Sequence, residues 1–162
     1  MERHRYPIWV ISLFVVVSVL VQSKLALWLP RTSWLDLPLI VTIYFGLSYR
    51  DSIRGMSIGA VAGLLQDALS HGPIGINGVT KTLVGFFTSS VSGRIEVDHT
   101  VIRMTALWFY SVVDLGLFAV LERIFFASRF SWAHYHFVFT PLLNVALGLP
   151  LFFLGDRLRK RD

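Results

Sequence analysis

Residues 55–67 read Gly55-Met56-Ser57-Ile58-Gly59-Ala60-Val61-Ala62-Gly63-Leu64-Leu65-Gln66-Asp67. Gly55, Gly59 and Gly63 recur at every fourth position, and Asp67 continues the same row. On a helix that spacing places all four on one face, and small residues there let two helices come close. An acid on the face of closest approach should point into protein rather than lipid. After the short loop His71-Gly72-Pro73-Ile74-Gly75, a second small-residue row follows: Lys81, Gly85, Ser89 and Gly93. The two segments are expected to form an antiparallel hairpin. Asp67 then falls one turn before the end of the first helix and Lys81 one turn after the start of the second, so an Asp67–Lys81 salt bridge is expected. Two roles are open to it. It fixes the hairpin, or it marks a ligand or partner site at the outer end. Asn77, at the start of the second helix, is expected to cap it.

Around this hairpin the chain is a succession of apolar runs. Helices are expected over residues 8–29, 35–49, 53–70, 77–93, 101–126 and 136–154. The first and fifth are long enough to cross a hydrocarbon core of about 30 Å. The shorter, more polar ones need protein neighbours or tilt. The first run has a basic flank, Arg3-His4-Arg5, as a signal peptide does. It is longer than an ordinary signal core, and Trp28-Leu29-Pro30-Arg31 offers no small-residue cleavage site, so it reads as a retained helix. Pro38 falls in the first turn of the second helix, where proline is tolerated, after Asp36. Pro141 and Pro150 interrupt the sixth, and neighbours must satisfy the carbonyls they free.

Composition agrees with a membrane solvent. Of 162 residues, 54% are hydrophobic and 15% charged, against about 25% charged in soluble domains. The mean hydropathy is +0.63. The net charge is +5, but the basic residues sit at the edges of apolar runs and form no stripe with interleaved aromatics, so nucleic-acid binding is set aside. With six spans, Arg3, Arg5, Arg50, Arg54, Arg94, Arg103, Arg157, Arg159, Lys160 and Arg161 collect on one side. Lys24, Arg31, Lys81, Arg123 and Arg129 fall on the other. The richer side, which holds both termini, is expected to be cytoplasmic. The whole chain reads as a single transmembrane domain, with Trp132 and Tyr135 as interfacial aromatics in its longest outer segment.

A second polar feature lies deep in the last two helices. Asp114 sits in the middle of the fifth and Asn144 in the middle of the sixth, at one depth if the two run antiparallel. A structural hydrogen bond between them is expected; the sharper alternative is a proton or ion relay. Catalytic signals are missing. There are no cysteines. His134 and His136 lie two apart, not at the i, i+4 spacing of a zinc helix. Ser92-Gly93 lacks the elbow motif and mid-membrane histidine of a serine hydrolase, and no aspartate cluster suits Mg²⁺. The chain is therefore expected to be no enzyme, with no cofactor and no metal.

The sequence Gly59-x-x-x-Gly63-Leu64-Leu65-Gln66-Asp67, then Gly72-Pro73-Ile74-Gly75-Ile76-Asn77, with Val112-Val113-Asp114, Asn144, Pro150 and a short basic tail, resembles the bacterial rod shape-determining MreD family over nearly the whole chain. One departure is His71-Gly72-Pro73, in a loop where that family carries small residues such as Ser and Gly. The resemblance implies a multi-pass inner-membrane protein that maintains cell shape within the elongation machinery for lateral peptidoglycan. The implied partners are a bitopic MreC-like protein, an MreB-like actin, a RodA-like glycosyltransferase with its penicillin-binding transpeptidase, and membrane lipids. It also implies a fold like the substrate-binding subunits of energy-coupling-factor transporters. A vitamin-binding subunit, with a pocket near Asp67, His71, Asn77 and Lys81, is the competing expectation. A proton-coupled transporter acting through Asp114 is a third.

Overall fold

The computed structural model describes residues 7–28, 34–49, 51–70, 74–94, 99–126 and 136–157. Six helices follow in order: α1 Ile8–Trp28, α2 Leu37–Ser48, α3 Ser52–Leu69, α4 Ile76–Ser92, α5 Thr100–Phe126 and α6 His136–Arg157. Three of them, α1, α5 and α6, are long and apolar enough to cross a membrane, and the shorter α2 is apolar throughout. Their outward residues, such as Leu13, Val17, Leu20, Phe109, Val138 and Phe153, are exposed hydrophobics that only lipid or a partner would cover.

The helix at the centre is α2. Every residue from Pro38 to Leu47 is buried, and α2 touches each of the other five helices. The rest form a perimeter in the order α1, α3, α4, α5, α6, with no contact between α1 and α6 among the described residues. This explains how a 12-residue helix, only about 18 Å long, can lie inside a membrane protein. Its ends meet protein groups rather than hydrocarbon. Asp36 caps it, accepting from the Leu39 N–H at 2.9 Å. Gln22 of α1 reaches over the same end, donating to the Leu35 carbonyl at 2.5 Å and accepting from the Leu37 N–H at 3.3 Å.

The expected small-residue hairpin is the tightest helix pairing among the described residues. A Cβ on Gly55 would lie 2.5 Å from the Gly85 carbonyl oxygen, and one on Gly59 would lie 2.7 Å from the Lys81 carbonyl carbon. Gly63 stands in the same relation to the backbone of Asn77 and Gly78. Backbone therefore meets backbone along the α3–α4 seam. Thr42 of α2 presses its methyl group against that seam beside Gly59 and Gly85.

Three boundaries differ from expectation for local reasons. Leu35 and Asp36 stand outside α2, because Asp36 is its cap. α4 begins at Ile76 rather than Asn77, with Gly75 as the cap residue at φ 100°, a left-handed conformation that costs a non-glycine residue about 1–2 kcal/mol. α6 runs on past Pro150 to Arg157. Its last turn is anchored: Asp156 accepts from the Arg103 guanidinium at 2.6 Å and from the Tyr44 hydroxyl at 3.1 Å.

Candidate functional site

One polar network threads this bundle, and every helix contributes to it. It starts at the α3–α4 turn. Gly75 has no side chain with which to cap α4, so the helix end needs an acceptor from elsewhere. Asp67 provides it from the last turn of α3. One carboxylate oxygen accepts from the Gly75 and Gly78 N–H groups, each at 2.9 Å. The other accepts from the Asn77 N–H at 3.3 Å and the Asn77 side-chain amide at 2.8 Å. A carboxylate against a helix N-terminus is stabilised by the unpaired N–H groups and by the helix dipole. This explains how Asp67 can be 1% exposed.

The expected Asp67–Lys81 salt bridge is not formed. Asp67 is committed to the start of α4, and Lys81 is turned toward the centre of the bundle. The Lys81 ammonium donates to Asp36 at 2.8 Å and to the Asn77 side-chain oxygen at 3.2 Å, with Asp114 at 3.9 Å. Asn77 is also not a cap. It lies inside α4 and bridges Asp67 to Lys81 through its two amide atoms. Lys81 is fully buried, so the attraction of two carboxylates at its tip offsets the large cost of taking the ammonium out of water.

The expected Asp114–Asn144 hydrogen bond is likewise absent. Asn144 accepts from the backbone N–H of Asp36 at 3.1 Å and donates to the Ser111 hydroxyl at 3.0 Å. Ser111 lies one turn from Asp114 on α5, so Asn144 does tie α6 to α5, through a different residue. Asp114 faces Lys81, and its Oδ1 is buried without a hydrogen-bond partner.

Asp36 is the residue that sequence reasoning passed over. It caps α2, pairs with Lys81 and presents its N–H to Asn144. Its sequence signal was present: a lone acid just before a short, mostly apolar helix. Gln22 and Ser111 complete the set. Gly55, Gly59, Gly63 and Gly85 stand beside the network as the seam that brings α3 and α4 close enough to share it. Residues 71–73 and 127–135, including His71 and His134, lie outside the described residues.

Chemically the arrangement holds Lys81 and the acids Asp36, Asp67 and Asp114, with the N-termini of α2 and α4 as further positive ends. It contains no nucleophile set beside a base, and among the described residues no group of His, Cys, Asp or Glu is placed to hold a metal ion. Its direct effect is to join helices: Gln22 binds α1 to the α2 entrance, Asp36–Lys81 binds α2 to α4, Asp67 binds α3 to α4, and Asn144 binds α6 to α2 and α5.

No curated protein and no solved structure matches the chain. A family model does, over residues 3–159, and its description is rod shape-determining protein MreD. With a match covering nearly the whole chain and apolar helices able to span a membrane, the protein belongs to the MreD family of rod shape-determining membrane proteins.

Proposed function

We propose that this protein is a non-catalytic membrane scaffold of the bacterial cell-elongation complex, which holds a bitopic MreC-like partner and thereby supports lateral peptidoglycan synthesis. The observation that carries the reading is the MreD match across residues 3–159, since that family determines rod shape. The site chemistry supports it. The polar groups of the network are bonded to one another and to the backbone of neighbouring helices, which serves the rigidity of the bundle rather than turnover. The exposed groups on the helix faces are apolar and leave surface for lipid or for a partner to cover.

All six helices lie within the bilayer in this reading, and both termini face the cytoplasm. Lys81 is spent inside the bundle and drops out as a topological anchor. Only Lys24, Arg31, Arg123 and Arg129 then oppose the ten basic residues of the other side, which sharpens the asymmetry. The partners extend to the MreB-like actin on the cytoplasmic face and to the RodA-like glycosyltransferase with its transpeptidase. In this reading the fold resembles that of energy-coupling-factor substrate-binding subunits. A vitamin pocket at the Asp67–Lys81 end would need polar groups open to a ligand, and there Asp67, Asn77, Lys81 and Asp36 are bonded to one another.

The test is a clean deletion in a rod-shaped host, with complementation and affinity purification of the tagged protein. Loss of rod shape and co-purification of the MreC-like protein are expected. A deletion strain with unchanged width and wall incorporation would sink the proposal.

A further inference from the structure

An open groove lies away from the polar network, between α1 and α3. It encloses about 930 Å³ and runs from Pro7, Tyr49 and Arg54 at one end to Val15, Val61 and Leu65 at the other. Its walls are apolar except for Ser12, Ser57 and the arginine at its mouth. From Ile53 to Leu65 the α3 wall rises about 18 Å, close to the roughly 15 Å depth of one leaflet's hydrocarbon. With α3 lying across the bilayer, as in the reading proposed above, a groove of that length opening at the interface would reach about to the midplane.

Its chemistry is graded in the same direction. Arg54 is half-exposed, held by Asp51 at 3.3 Å and set over the Tyr49 ring at 5.6 Å. A half-exposed guanidinium at the mouth of an apolar slot complements an anionic headgroup above acyl chains. The walls also suit a chain thinner than a helix. Close helix contacts need small residues, and α3 spends Gly55, Gly59 and Gly63 on α4. Toward α1 it presents Ile53, Ile58, Val61 and Leu65.

We propose that the α1–α3 groove is a binding site for one anionic phospholipid, with its acyl chains along α3 and its phosphate at Arg54. The lipid would cover apolar surface between two helices and add a charge-dependent clamp on α1, a perimeter helix that touches only α2 and α3 among the described residues. This site is independent of the scaffold role and stands or falls by itself.

The experiment uses the full chain in nanodiscs of equal phosphatidylglycerol and phosphatidylcholine with identical acyl chains, and counts retained lipids by native mass spectrometry. Wild type should retain phosphatidylglycerol preferentially. Arg54→Gln should lower that preference about 5-fold, and Arg54→Lys should keep most of it. Val61→Trp, at an exposed position of the wall, should reduce retention of both lipids by filling the slot. Equal retention of the two headgroups by wild type would overturn the proposal, as would a preference untouched by Arg54→Gln and Val61→Trp. The chain has no cysteine, so Val61→Cys gives a single thiol in native membranes. A cross-link from it to another polypeptide would place a partner helix in the groove and also overturn the lipid assignment.

Discussion

Replacing Lys81 with methionine removes the centre of the polar network while keeping most of the side-chain volume. In the wild type the ammonium is fully buried, 2.8 Å from Asp36, 3.2 Å from Asn77 and 3.9 Å from Asp114. Its loss leaves two acids without their counter-charge and an amide oxygen without its donor. Removing one partner of a buried pair typically costs about 3–5 kcal/mol. Asp36→Asn is a milder perturbation for a structural reason. Asparagine still caps α2, and Lys81 still has Asp114 beside it, so about 1–2 kcal/mol is expected. The double variant Lys81→Met/Asp36→Asn should then be more stable than Lys81→Met alone, because one stranded carboxylate is gone. The coupling energy of the cycle should reach about 1–3 kcal/mol. Reversible unfolding of the detergent-solubilised protein by dodecyl sulfate titration measures all four states. The account fails if Lys81→Met stays within about 1 kcal/mol of wild type, or if Asp36→Asn proves the costlier single change.

The same unfolding assay checks four further variants. Asp67→Ala strands the Gly75, Asn77 and Gly78 N–H groups and should cost at least about 3 kcal/mol, at about 1–3 kcal/mol per unsatisfied buried group. Gly59→Ala drives a methyl group onto the Lys81 backbone and should cost about 1–3 kcal/mol. Gly116→Ala, where a Cβ meets nothing within 4 Å, should instead stabilise α5 by about 0.5–1 kcal/mol; equal effects at the two glycines would contradict the close α3–α4 approach. Gly75→Ala also meets nothing within 4 Å, so its expected loss of about 1–2 kcal/mol comes from the left-handed backbone alone. A neutral result there would show that the turn has rearranged.

The site was only partly legible before folding. Gly55, Gly59, Gly63 and Asp67 could be assigned to one face because helical periodicity is a local property, and the seam forms as that periodicity requires. The partner of Lys81 could not be read the same way. Depth along an antiparallel hairpin brings Asp67 near Lys81, but depth is one coordinate and a salt bridge needs three. The choice was made by the unpaired N–H groups at the start of α4, which take both oxygens of Asp67, and by the central position of α2, which brings Asp36 to Lys81 from 45 residues away. Asn144 met the same fate: its depth on α6 was right, but rotation about the helix axis gave it Ser111 and the Asp36 N–H in place of Asp114.

What the sequence determined by itself is the membrane class, the presence of six helices and the small-residue hairpin between α3 and α4. Each of these follows from local composition and spacing, which survive whatever the rest of the chain does. Which helix lies at the centre, and which acid answers the buried lysine, came only with the packing of the folded chain. Those depend on how the helices are rotated and ordered around one another. That order is set by the sum of many weak packing contacts and by the requirement that every helix end in the bundle find hydrogen-bond partners.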